Sequence, residues 1–366
     1  MLSLFRRKSA APAESTFKTR VLQFWDWYTE VSPRFFQTIE AGQCPSLAEE
    51  VSVKVDELLP GFAWVFGPGA NGQGHSFTLS GEGVLHRQLL SLYWLSRVPA
   101  LPGWTFYAAR QPGSITGKCI EIGGREFDPL EFWLTPAVAR DVEKVDITVW
   151  HPMFDRMQEQ DRGTVLFLFL DEVLGEYGTE QWIGEIKLNP QRLADSIPLA
   201  ELPEFLRRVE AEHGWKKLPP GESAVLYRCE NPHDRFLRGD IVVGSTMHMQ
   251  LINEFLKAEG ELEDPLRGTG ADYVFVTFDR QTLPTDAAVP ARGEIEDALD
   301  QSLRASATGR LIGGAMGTQN AYIDLLLFDG PASLEIVQQV LRDKSLPAGS
   351  AIHYFAKEKR GHRIVL

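Results

Sequence analysis

The run LDEVLGEYGTEQWIGEI gathers Asp171, Glu172, Glu176, Glu180 and Glu185 in one short stretch. TVLFLFLD at 164–171 reads as a strand, which puts Asp171 and Glu172 at its C-terminal edge. Two carboxylates there could bind a hard cation, or act as general acid and base. Two less specialised uses compete. Acidic residues at a helix start complement its dipole, and on a surface they attract a basic partner. The partner reading adds Trp27 of FWDWY to Asp171, Glu172, Glu176 and Glu180, because Trp27 points away from the stripe formed by Phe24, Trp25 and Tyr28. A large apolar residue off the core face marks a contact with another domain or chain, or a helix buried on two sides.

The other candidate motifs dissolve on their spacing. In GRLIGGAMGTQNAYIDLLLFDG, 309–330, four glycines crowd together but lack the Gly-Lys-Ser/Thr that a P-loop uses to reach phosphate and magnesium. A dinucleotide loop needs G-x-G-x-x-G between a strand and a helix. Here Gly313, Gly314 and Gly317 are spaced differently and a strand follows. They read as a β-hairpin with a bulge or a close backbone approach. Eight histidines include no H-x-x-x-H pair. Cys229, His233 and His248 could approach a zinc ion, but a structural site takes four ligands in recognisable pairs. The bland alternative is a loop with an exposed histidine and a buried cysteine. No G-x-S-x-G elbow surrounds any serine. The sequence therefore predicts no metal, no cofactor and no catalytic residue.

Bulk properties narrow the classes further. The 366 residues allow two or three compact units, and 43% hydrophobic with 24% charged residues describes an ordinary globular chain. A formal charge of −13 argues against nucleic acid, whose phosphates need a clustered basic face. Three cysteines, Cys44, Cys119 and Cys229, offer no disulfide framework and fit a reducing cytosol. MLSLFRRKSAAPAEST lacks a secretory signal, and no apolar run is long enough to span a bilayer. A cytoplasmic location with no membrane contact is the expectation.

The elements that would carry these residues follow from periodicity and punctuation. Residues 1–16 read as a flexible tail. The segment 17–61 reads as two helices, the first interrupted at Pro33. A central α+β region, 62–262, begins with strands at 63–67 and 75–80 around a Gly-rich turn. It continues with a helix stopped by Pro99 and a strand at 103–110. GELEDPLRGTGAD, 260–272, is the best boundary candidate. Beyond it, 270–366 reads as strand, helix, two strands, helix and strand, the βαββαβ order of a ferredoxin-like sandwich. The fold class is α+β, built from several small sheet-plus-helix modules.

LPGWTFYAARQPGSI (101–115) and FLDEVLGEYGTEQWIGEIKL (169–188) resemble a group of bacterial cytosolic proteins made of domains of unknown function, some encoded near secretion-system or toxin genes. The segment from Gly309 to Phe355 is similar to ferredoxin-like tails in such proteins. The resemblance implies a bacterial origin and an immunity-like or accessory role. Together with the acidic balance, it leads to the expectation of a non-catalytic binding protein that meets a basic protein partner through its acidic surface. The alternatives are a hydrolase with dispersed carboxylates around Asp171 and Glu172, and a regulatory protein whose C-terminal sheet binds a small ligand.

Overall fold

A computed structural model describes residues 15–366 apart from 118, 123 and 285. The expected tail, 1–16, lies outside the described residues except for Ser15 and Thr16. Two compact units emerge, and the fold class is α+β. One joins the chain up to Pro60 with Ala224–Leu366, and the other is Gly61–Ser223.

Helix α1, Phe17–Glu40, starts at Thr16, whose hydroxyl accepts from the Thr19 amide at 3.3 Å. It does not stop at Pro33, contrary to the expected interruption. Proline removes the amide that would bond the Thr29 carbonyl. The Ser32 hydroxyl donates to that carbonyl instead, at 3.3 Å, and the helix continues. Helix α2, Ala48–Leu58, follows. The start of α1 is tied to the C-terminal part of the same unit: the Phe17 amide donates to the Gly270 carbonyl at 3.0 Å, and the Lys18 amide to Phe328 at 2.8 Å.

The Gly61–Ser223 unit holds three sheets. Strands β1 (Ala63–Pro68) and β2 (His75–Ser80) are antiparallel, and after helix α3 (Leu85–Ser96) strand β3 (Trp104–Tyr107) joins β2 in parallel. Strands β4 (Ile120–Ile122) and β5 (Arg125–Phe127) pair with each other. Then come β6 (Trp133–Ala139), β7 (Lys144–Trp150), helices α4 (Glu159–Leu174) and α5 (Glu176–Trp182), β8 (Ile183–Leu188), β9 (Ile197–Pro198) and helix α6 (Leu202–His213). Their strands form a sheet in the order β8-β7-β6-β9.

The expected strand at 164–171 is part of α4, and this corrects the sequence reading. Val165, Leu166, Phe169, Leu170 and Val173 are buried, at the spacing of one helical face. Phe167 and Leu168 fall on the opposite side and are exposed. A short, wholly apolar run has no period of its own, so only burial separates strand from helix.

The other unit continues with β10 (Val225–Arg228), β11 (Ile241–Thr246), helix α7 (Met249–Lys257), β12 (Asp272–Asp279), helix α8 (Ala288–Ala305), β13 (Gly309–Gly317), β14 (Asn320–Leu327), helix α9 (Gly330–Asp343), β15 (Ala351–Tyr354) and β16 (Ile364–Val365). From β12 to β15 the elements follow the expected order. The sheet is wider than a four-stranded sandwich, because β11 and β10 extend it beyond β13 and β16 beyond β15. Val274, Val276, Ile323, Leu325 and Ile352 of the sheet pack with Ile295, Leu299 and Leu303 of α8 and Val337 and Leu341 of α9. On alternate residues of the same strands lie Phe275, Tyr322 and Asp324, also buried. Both faces are covered, which is why β14 reads as an almost continuous apolar run.

Candidate functional site

The acidic cluster divides on folding. Asp171 and Glu172 lie in the last turn of α4, not at a strand edge. A helix C-terminus is the negative end of its dipole, so these carboxylates gain nothing from it. Glu176 opens α5 and is 3% exposed. It accepts from the Ser80 hydroxyl at 2.7 Å, the Gly83 amide at 3.1 Å, the Arg110 amide at 3.2 Å and the Gln88 side chain at 3.3 Å. Its carboxylate therefore ties loops of its own unit together and is not presented to a partner. Glu180 is exposed, and Glu172 half-buried. Asp171 is half-buried, and burial raises its pKa. It lines a shallow depression with Glu82, Arg110, Thr164, Phe167 and Leu168. Trp27 belongs to the other unit. It is half-buried, and its ring meets Phe24, Tyr28 and Phe35 edge-on at 5.5, 5.9 and 5.8 Å.

The glycine-rich strand is a bulged hairpin partner, as its spacing suggested: the β13–β14 register shifts between Leu311 and Gly313. A Cβ on Gly314 would lie 2.0 Å from Glu296 Oε1, and one on Gly317 would lie 2.1 Å from Asp240 Oδ2. Carboxylates fill the space that side chains would take, and their charge repels a phosphate there.

Asp240 leads into a buried polar network. It accepts from the Tyr322 hydroxyl, and from the Gln319 and Asn320 amides at 2.9 and 3.0 Å. The Tyr322 oxygen accepts from the Arg238 amide at 3.2 Å. The Arg238 side chain is fully buried and grips Asp324 through both terminal nitrogens, one of them at 3.0 Å from Oδ2. Burial opposes the guanidinium charge, yet Asp324 outweighs it and the Arg238 pKa is raised. Phe275 and Phe355 flank the guanidinium carbon at 5.0 Å each, and Tyr322 at 5.1 Å. Arg238 also has φ 78°, a left-handed conformation that costs a non-glycine residue roughly 1–2 kcal/mol. The network holds the backbone there.

That anchorage positions the segment just before it. Arg235, Phe236 and Leu237 form one wall of a cleft of about 370 Å³. Phe255 and Gly260 close it from the end of α7, Phe275 and His353 from the sheet, and Tyr354, Arg360 and Arg363 from the C-terminal end of the chain. The His353 ring stacks on Phe275 at 5.3 Å, and its Nε2 is 3.3 Å from the Thr277 hydroxyl. Burial, helped by Arg363, lowers the His353 pKa to about 4, so the imidazole is neutral at neutral pH.

The segment that carries Arg360 is held by charge. Lys357 pairs with Glu263 at 3.0 Å and Lys359 with Asp264 at 3.2 Å, Arg360 pairs with Glu261, and Glu358 pairs with Arg267. The acidic segment expected to be a boundary, 260–272, is thus the counter-surface of the basic segment 357–363. Arg360 also donates to the Gly260 carbonyl. Neither Arg235 nor Arg363 has an ion pair or hydrogen bond among the described residues.

None of these cleft residues was singled out from the sequence. The available signal was compositional: KEKRGHR and DRFLR are basic runs in an acidic chain. The zinc candidates take other roles. His248 caps α7, accepting from the Leu251 amide at 3.3 Å, and His233 packs on Phe236. Among the described residues no group of three His, Cys, Asp or Glu side chains is arranged to hold a metal ion. No described helix is long and apolar enough to cross a membrane. No protein-family model, curated protein or solved structure matches this chain.

Proposed function

We propose that the protein is a non-catalytic binding protein whose ligand is a small anion held in the arginine-rimmed cleft. One observation carries this reading: in a chain of net charge −13, three arginines line one cleft and two of them have no counter-charge among the described residues. Guanidinium groups present paired donors that match phosphate and carboxylate. The cleft's mixture of apolar walls and a few polar groups is that of small-molecule sites. The reading favours the small-ligand alternative over carboxylate chemistry around Asp171. Titration calorimetry with inorganic phosphate tests it. Binding to the native chain and a loss of at least about tenfold in the Arg235→Ala/Arg363→Ala double variant are expected, since a hydrogen bond to a charged group contributes about 1.5–3 kcal/mol. Equal heats from the two proteins would remove the cleft from consideration.

A second reading, an accessory or immunity-like protein that binds a protein partner, is favoured by one surface. Phe167 and Leu168 are 49% and 40% exposed on α4, beside Asp171 and Glu82. An apolar pair rimmed by carboxylates suits a partner segment that pairs an apolar residue with a lysine or arginine. Native pull-downs should then return a protein that Phe167→Ser releases and that high salt weakens. A capture indifferent to both would discard this surface.

A further inference from the structure

The cleft's dimensions and charge say more about its ligand than the presence of arginines does. At about 370 Å³ it is several times larger than a bare tetrahedral ion and falls within the range of small-molecule pockets, about 300–1,000 Å³. The rest of the lining is mostly ring and aliphatic carbon, from Phe236, Leu237, Phe255, Phe275 and Tyr354, with Phe236, Leu237 and Tyr354 less buried than Phe255 and Phe275. An ion alone would leave those walls facing water. Aromatic surfaces are best covered by another flat apolar group.

The charge balance selects among anions. Arg360 is matched by Glu261, and the fully buried Arg238 behind Phe275 is matched by Asp324. His353, stacked on Phe275, contributes no positive charge at neutral pH. What remains is the pair Arg235 and Arg363, an excess of two positive charges. A monocarboxylate supplies one negative charge. A phosphate monoester supplies about −1.5 to −2 at pH 7, with several strong acceptor oxygens. Guanidinium groups offer paired donors that match the tetrahedral oxygens of a phosphate, and two of them line this cleft.

We infer that the cleft binds a phosphate monoester carrying an aromatic ring, with the phosphate between Arg235 and Arg363 and the ring against Phe236 and Leu237. This rests on the small-anion reading above and narrows it. The same chemistry is offered by a simple aryl phosphate and by a nucleoside 5′-monophosphate.

Titration calorimetry of the full chain at fixed ionic strength distinguishes the cases, with phenyl phosphate, adenosine 5′-monophosphate, inorganic phosphate and benzoate as probes. At least one of the two ring-bearing esters should bind about tenfold or more tighter than inorganic phosphate, and about tenfold or more tighter than benzoate. The tighter of the two esters identifies the source. Phe236→Ala should weaken the better ester while leaving inorganic phosphate unchanged, and Arg363→Ala should weaken both. Far-ultraviolet circular dichroism confirms that each variant retains its fold. Inorganic phosphate binding as tightly as both esters overturns the ring assignment and leaves the anion site standing, and benzoate binding as tightly overturns the phosphate assignment. Absence of binding by all four probes overturns the site itself.

Discussion

At Glu176 a residue that looks like surface charge in the sequence becomes a structural acceptor, because four donors from three separated segments converge on it. Glu176→Ala would strand the Gly83 and Arg110 amides and two side chains. A loss of about 2–4 kcal/mol is expected, at about 1–3 kcal/mol for each stranded buried group that water cannot reach, measurable by urea unfolding of the Gly61–Ser223 unit. The Arg238–Asp324 pair behaves differently from a surface bridge. Removing one partner leaves a buried charge, so Asp324→Ala should cost about 3–5 kcal/mol, whereas Arg238→Met with Asp324→Leu should recover much of that loss. Denaturant midpoints of the two single variants and the double variant decide it. The histidines set a pH dependence. His151, buried against Phe127, Phe132 and Phe154, and His353 each titrate at about 4, compared with 6.5 when unperturbed, chiefly because burial disfavours the imidazolium. Below 6.5 the unfolded chain takes up protons that the folded one refuses, so stability is full above that pH and falls as pH drops toward 4. His353→Phe should flatten part of that slope in pH-dependent urea titrations.

Among the elements, α4 is where local pattern and tertiary environment diverge. Its buried face, Val165 to Val173, demands apolar side chains, while Phe167 and Leu168 do not face the core. Phe169→Ala should therefore destabilise by about 3–5 kcal/mol through the cavity it leaves, and Leu168→Ala should fall within about 0.5 kcal/mol of the parent. Thermal unfolding of the two variants side by side makes the comparison; equal losses would return this segment to a strand. The basic segment 357–363 is a second case. Each of its exposed ion pairs contributes only about 0–1 kcal/mol and is screened by salt, but together they hold Arg360 and Arg363 at the cleft. Lys359→Ala, which loses partners in both Asp264 and Asp272, should weaken anion binding with little change in global stability. Calorimetry against a thermal melt separates the two effects.

For the whole molecule, chain connectivity matters more than any single contact. Gly61–Ser223 is continuous and has its own core, built around Phe132, Val149, Leu166 and Phe169. Expressed alone, 61–223 should fold cooperatively, with dispersed amide resonances. Ala224–Leu366 alone should be weaker, because α1 supplies Phe17 and its amide bonds to Gly270 and Phe328. Hydrogen exchange on both fragments reads this directly.

What the sequence alone determined was local. Caps, prolines, glycines and apolar periods act within a few residues, and they placed α1, α2, the first hairpin and the element order from β12 to β15. They also marked the bulged glycines of β13. They misread α4, where uniform apolarity carries no period, and they missed the continuation of α1 through Pro33, where the Ser32 hydroxyl bonds the freed Thr29 carbonyl. Tertiary structure alone decided that Glu176 is buried, that α1 shares a unit with Gly270, and that Arg235, Arg360 and Arg363 meet at one cleft. Arginine has no periodic signature. Bringing residues 235 and 360 together is the work of a seven-stranded sheet and a buried ion pair, whose register is set by contacts across the whole unit.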